Sequence, residues 1–261
     1  MEAAITSQAA TPPRPGAAKA ARPVLRDVSR SAFACTNCHS HPVCERVSLG
    51  EDSAHTGGRI PATRIRLRKG DTLYRAGDRF TALYAIRLGS CKTVMVTDDG
   101  HEQVSGYHMP GEIIGTDGIG LDMHESQAIA LEDAEVCALP FDRVEALARE
   151  DVAFQRSLHR MLAEEIVRER NVMLMLGTMR AEQRLASFLL DLSQRYQSRG
   201  YSPSEFLLRM TREEIGSHLG LKLETVSRLF SRFHQDRLIE VRGRIIRLVD
   251  RDGLHQLVLT G

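Results

Sequence analysis

The feature that most constrains this chain is a change of texture at Phe141. From about Arg59 to Pro140, short alternating runs are cut by turn signals. Thr63-Arg64-Ile65-Arg66-Leu67-Arg68 and Lys92-Thr93-Val94-Met95-Val96-Thr97 are two such runs. The turn signals are Lys69-Gly70-Asp71, Gly77-Asp78, Leu88-Gly89, Asp98-Asp99-Gly100, Pro110-Gly111 and Asp117-Gly118. Short strands punctuated this way predict an antiparallel sandwich or roll. After Phe141 the pattern is helical. Asp151 to Thr178 contains no proline and one glycine, Gly177, near its end. A second helix, Ala181 to Gln197, stops at Arg199-Gly200. Strands followed by helices make the chain α+β.

At 261 residues the chain is long enough for two domains and for a core without staples. Its net charge of +1 hides an asymmetry. From Arg180 onward there are 14 Lys+Arg against 10 Asp+Glu, so the C-terminal third carries +4 and the remainder −3. No run approaches the roughly 18 apolar residues that cross a bilayer. The N-terminus has no apolar core of the kind a secretory signal needs, so we expect a cytoplasmic protein with reduced thiols and no membrane partner. Residues 1–32 are rich in Ala, Pro, Ser and Thr and predict a disordered extension. The expected divisions that follow are 33–58, a cysteine-rich segment; 59–142, the strand domain; 143–180, a long helix; and 181–261, a DNA-binding domain.

The last of these rests on TREEIGSHLGLKLETVSRLFSRFHQDRLIEV. Thr211 and Glu214 form a capping box. Gly220 suits the left-handed end of a first helix. A second helix would bury Val226, Leu229, Phe230 and Phe233 and expose Glu224, Ser227 and Arg228 on its first turns. In a helix-turn-helix those turns enter the major groove, where Arg forks onto guanine and Glu accepts from the cytosine amino group. Arg232, Arg237, Arg242, Arg244 and Arg247 would supply phosphate contacts, with Gly243 turning a wing hairpin. The bland alternative is a helical hairpin with a solvated charged face. The agreement of cap, turn glycine, polar face and wing favours DNA binding.

Five cysteines are an odd number. Cys35, Cys38 and Cys44 share one short segment, and Cys137 lies at the end of the strand region. Three local thiols plus a distant one suit an iron–sulfur cluster, whereas structural zinc more often takes two close pairs. Spacing alone leaves a zinc site, redox thiols and core residues open. His39 and His41 read as polar loop residues, and Cys91 as a half-buried strand residue. A metal-dependent cupin-like enzyme would need closely spaced histidines, and His101, His108 and His124 lack that spacing. No catalytic residues are therefore expected.

Along the long helix Leu158, Leu162, Ile166, Met173 and Leu176 recur near a 3.5-residue period, which is a coiled-coil seam for a homodimer. The heptad from Leu162 lands on Glu169, where an acid would face its own copy. Leaving such a charge buried and unsatisfied costs about 3–5 kcal/mol. Glu169 is thus a candidate weak point that makes dimerisation conditional, unless the helices splay and leave it wet.

CTNCHSHPVC, EVCALPF, GDTLYRAGD, LYAIRLGS and LGLKLETVSRLFSRF together resemble the Crp/Fnr superfamily, and within it the oxygen-sensing fumarate and nitrate reduction branch, over about residues 33–255. The resemblance implies a cyclic-nucleotide-binding-like jelly roll, a dimerisation helix and a winged helix-turn-helix. It implies a 4Fe–4S cluster on Cys35, Cys38, Cys44 and Cys137, lost to oxygen with loosening of the dimer. It also implies palindromic half-sites like TTGAT and ATCAA read by Glu224, Ser227 and Arg228. RNA polymerase contact through Asp98-Asp99-Gly100 and the region around Asp117-Gly118 is implied too, and an acidic residue at the Glu169 position. Nucleotide-binding relatives pair Gly-Glu with a later Arg-Ser-Ala. Here Gly111-Glu112 is followed by His124-Glu125-Ser126-Gln127-Ala128 without the arginine, so cAMP is not expected.

Overall fold

The computed structural model of the chain describes Cys44, the backbone of 47–49, and residues 60–97 and 100–260. The strand region forms β1 (Val47–Leu49), β2 (Ile60–Leu67), β3 (Thr72–Tyr74), β4 (Ala82–Leu88), β5 (Cys91–Val96), β6 (Glu102–His108), β7 (Ile113–Ile114), β8 (Ser126–Ala130) and β9 (Ala134–Pro140). They make two sheets, ordered β1-β2-β9-β4-β7 and β3-β8-β5-β6. Pairing is antiparallel except for β1, which runs parallel to β2. Nothing in the alternating pattern signalled that short pair.

The period-two alternation sends neighbouring side chains to different cores. On β9, Ala134 and Val136 join Ile65, Leu67 and Ile86 in one cluster. Cys137 and Leu139 join Cys44, Leu83 and Ala85 in another, covered by Val144 and Leu147. Those two residues lie on α1 (Phe141–Glu150). Phe154, Leu158 and Met161 complete this second cluster from the start of α2 (Val152–Thr178). Asp151 separates the two helices and caps α2, its carboxylate accepting from the Ala153 and Phe154 amides.

The remainder is α3 (Ala181–Ser198), β10 (Glu205–Leu207), α4 (Arg212–Leu219), α5 (Leu223–Gln235), β11 (Ile239–Arg242), β12 (Ile245–Leu248) and α6 (Arg251–Leu259). The three strands form a sheet ordered β10-β12-β11. A third cluster runs from Leu185, Leu189, Ile215 and Phe233 to Val94, Val104, Tyr107 and Leu131 of the roll, so the two halves share one apolar interior. Strand β10 and helix α6 lie outside the predicted elements; both are short and owe their place to tertiary packing rather than to a periodic pattern.

Candidate nucleic-acid interface and cysteine site

The helix-turn-helix forms as its residues require. Thr211 Oγ1 accepts from the Glu214 amide at 3.1 Å, and Glu214 Oε2 accepts from the Thr211 amide at 2.7 Å. Gly220 ends α4 at φ 62°, in the left-handed region. A Cβ at Gly216 would stand 2.6 Å from the Leu221 carbonyl oxygen, so the turn closes only over glycine there. Val226, Leu229, Phe230 and Phe233 are buried, each contributing about 1.5–3 kcal/mol. Glu224, Ser227 and Arg228 are all exposed on the opposite face of α5. Gly243 (φ 63°) turns the β11–β12 hairpin, with Arg242 and Arg244 exposed at its tip. Arg242 and Arg247 each lie 3.7 Å from Glu240, and Arg232 pairs with Glu182 and Asp236. Sequence reasoning missed Arg212, whose guanidinium lies 3.2 Å from the Phe230 ring centroid and is pulled down to about 10 by burial.

This DNA-reading unit is docked on the roll. Strand β6 is a sheet edge, and its outward backbone groups are met by α4. The Val104 amide donates to Ser217 Oγ at 2.9 Å, and His218 Nδ1 lies 3.2 Å from the Val104 carbonyl. Burial lowers the pKa of His218, so it is neutral and donates through Nδ1. Lys92 Nζ reaches the other oxygen of the capping residue Glu214 at 2.7 Å.

A second joint centres on Glu112. Arg195 Nη2 contacts its two oxygens at 3.0 and 2.8 Å, Arg199 Nη2 donates at 2.5 Å, and Arg168 Nη1 lies 3.9 Å away. Burial raises the carboxyl, but the arginines win and bring it down to about 2. His108, its Nδ1 4.0 Å from Glu112, is pushed down to about 3 by burial against the pull of that carboxylate. Glu112 of the Gly111-Glu112 pair is thus taken up by arginines of helices α2 and α3. Ser126, in the stretch that lacks the arginine, donates to Asp117, which also accepts from the Glu125 and Ser126 amides.

Cys44 and Cys137 are both buried in the cluster beneath α1. Cys137 occupies the middle strand, opposite Arg64 and Ala85. Cys35, Cys38, His39 and His41 lie outside the described residues, as do residues 1–32 and Asp98-Asp99. Cys91 is only 1% exposed rather than half-buried, and burial pushes its thiol up to about 12. A thiol so hard to ionise is a poor ligand or nucleophile.

The seam of α2 divides into three parts. Leu158 and Leu162 pack into the roll, and Leu176 packs beside the helix-turn-helix. Between them Ile166, Glu169 and Met173 are exposed, Met173 at 72%. Val167 and Leu174 extend the exposed apolar stripe, and Gly177 follows beyond Leu174 along the same face.

A roll joined by a long helix to a winged helix-turn-helix, with Glu224, Ser227 and Arg228 exposed on the first turns of α5, defines a DNA-binding transcription regulator. Residues 64–151 match the cyclic nucleotide-binding domain, and residues 183–257 match the Crp-like helix-turn-helix domain. The chain is 43% identical to the transcriptional regulatory protein Btr of Bordetella pertussis over 231 residues, covering 88% of this chain and 96% of the relative. It is 38% identical to the fumarate and nitrate reduction regulatory protein of Escherichia coli over 226 residues, covering 87% and 90%. The structure of FixK2 from Bradyrhizobium japonicum superimposes with a TM-score of 0.70 at 32% identity, over 75% of this chain and 96% of that one. The chain belongs to the Crp/Fnr family of transcription regulators, and its relatives are regulators rather than enzymes.

Proposed function

We propose that this regulator is oxygen-responsive and acts as a cytoplasmic homodimer on palindromic DNA. Cys35, Cys38, Cys44 and Cys137 hold a 4Fe–4S cluster. The cluster, when bound, would make the dimer and its operator binding sensitive to oxygen, so that genes would be controlled through RNA polymerase under low oxygen. The observation that carries the reading is that Cys44 and Cys137, remote in sequence, share one buried cluster while Cys91 does not. Two buried thiols brought together from distant parts of the chain, one of them in the segment that also carries Cys35 and Cys38, suit a soft metal centre. When bound, the cluster supplies an oxygen-labile tether between the cysteine segment and β9; the chain itself supplies the apolar wall that keeps water from Cys137. Ile166, Glu169 and Met173 face the partner, with Leu158, Leu162 and Leu176 buttressing the seam. Glu224, Ser227 and Arg228 read bases, and Arg242 and Arg244 hold phosphates. Neither Glu112 nor Ser126 is placed to receive cAMP.

The test is purification without oxygen. A brown protein with about four iron and four sulfide per chain, bleaching in air, supports the reading. Cys137→Ser should lose the iron and Cys91→Ser should keep it. A colourless protein carrying zinc would replace it with a thiolate-zinc regulator. Glu169→Ala should strengthen the cluster-free dimer; no gain over wild type removes Glu169 from its assigned role.

A further inference from the structure

Helix α2 and helix α4 end close together, and one side chain takes up the carbonyls of both ends. Arg184, on the first turn of α3, donates from Nη2 to the Leu176 carbonyl at 2.8 Å and from Nε to the Met179 carbonyl at 2.9 Å. Its Nη1 donates to the Leu219 carbonyl at 3.0 Å. Leu176 lies in the last turn of α2, and Leu219 is the last residue of α4, so all three acceptors lie where helix carbonyls lack partners and the dipoles point their negative ends. Space for the guanidinium comes from Gly220, where a Cβ would stand 3.2 Å from Nη1. The recognition helix α5 starts three residues later, at Leu223. Neighbouring Gln183 fixes the same joint from the other side. It accepts from the Arg180 amide at 2.8 Å and donates to the Val258 carbonyl of α6 at 3.0 Å.

We propose that Arg184 is the positioning residue that sets the direction of the recognition helix relative to the dimer helix, and so the separation of the two recognition helices on DNA. A planar fork that engages two helix ends fixes an angle as well as a distance; a lysine ammonium, a compact charge with rotatable donors on a flexible stem, does not impose that angle. The inference rests on the dimeric, palindrome-binding reading above. A dimer with a fixed angle tolerates little change in half-site spacing, because one inserted base pair rotates a half-site by about 35° and shifts it by about 3.4 Å. A dimer with a loose joint tolerates more.

The experiment compares full-length wild type and Arg184→Lys, both purified without oxygen. Each is titrated against an operator of two inverted half-sites and against the same operator with one base pair added or removed. Random DNA serves as the reference. Wild type should prefer the proper spacing by about tenfold or more, and Arg184→Lys by about threefold or less, with random-DNA affinity little changed. Arg184→Lys keeping the wild-type preference overturns the proposal, even if its overall affinity or thermal midpoint falls, because that is the signature of a merely structural arginine. If Arg184→Lys does not fold by circular dichroism, Arg184→Gln is judged by the same ratio, and failure of both to fold counts against a positioning role. A wild type indifferent to spacing overturns the dimeric reading itself and this inference with it, an outcome distinct from a selective wild type matched by its variant.

Discussion

Glu112→Gln should destabilise the chain by about 3 kcal/mol at neutral pH, and the deficit should fade in acid. The substitution keeps the shape of the side chain and the acceptor for the Met109 amide, but leaves Arg195 and Arg199 without their shared carboxylate. The carboxyl is held at about 2 against an ordinary 4.5. A depression of that size corresponds to about 3 kcal/mol of stability. The figure agrees with about 3–5 kcal/mol for removing one partner from a buried pair. Because the folded pKa is depressed, this stability is present above about pH 4.5 and drains away as pH falls toward 2. The assay is urea unfolding of metal-free wild type and variant at several pH values. The difference between them should shrink from about 3 kcal/mol at pH 7 to about 1 kcal/mol at pH 3. A difference that stays constant across that range, or never exceeds 1 kcal/mol, would refute the assignment of Glu112 as an ionised anchor for the two arginines.

His108 gives the complementary titration: its folded form is neutral down to about pH 3, so wild-type stability should rise with pH between about 3 and 6.5, and His108→Asn should flatten that slope. Gly216→Ala should cost about 1–3 kcal/mol in thermal or chemical unfolding, because its Cβ meets a backbone oxygen rather than a movable side chain. Arg228→Ala should lose about 1–3 kcal/mol of discrimination at one guanine in competition binding. Arg242→Ala should weaken operator and random DNA alike and lower the salt slope by about one; equal losses on both DNAs for both variants would remove the base-reading assignment.

The helix-turn-helix was legible because its signals are local. A capping box, a left-handed glycine and a 3.6-residue apolar period all lie within the span from Thr211 to Phe233 and agree with one another. The exposure of Glu224, Ser227 and Arg228 followed from the same periodicity. The roll was legible from its turns. Glu112 was not, because its partners Arg195 and Arg199 come from another domain and ion pairs have no period. The docking of Ser217 and His218 on Val104 was hidden for a related reason. An edge strand looks the same in sequence whether water or a helix satisfies it. Leu158 fitted the seam by spacing, yet the roll claims it, since a heptad pattern does not say which surface a leucine meets.

Helix α2 can also be considered as a lever. Its 27 residues make a rod about 40 Å long, anchored in the roll by Phe154 and Leu158 and held at its other end by the Arg184 guanidinium. A tilt of only about 5° at the anchored end carries the far end through about 3.5 Å, close to the rise of one base pair. A rearrangement that moves the roll by an amount small compared with a side chain is thus amplified to the scale on which DNA distinguishes one register from the next.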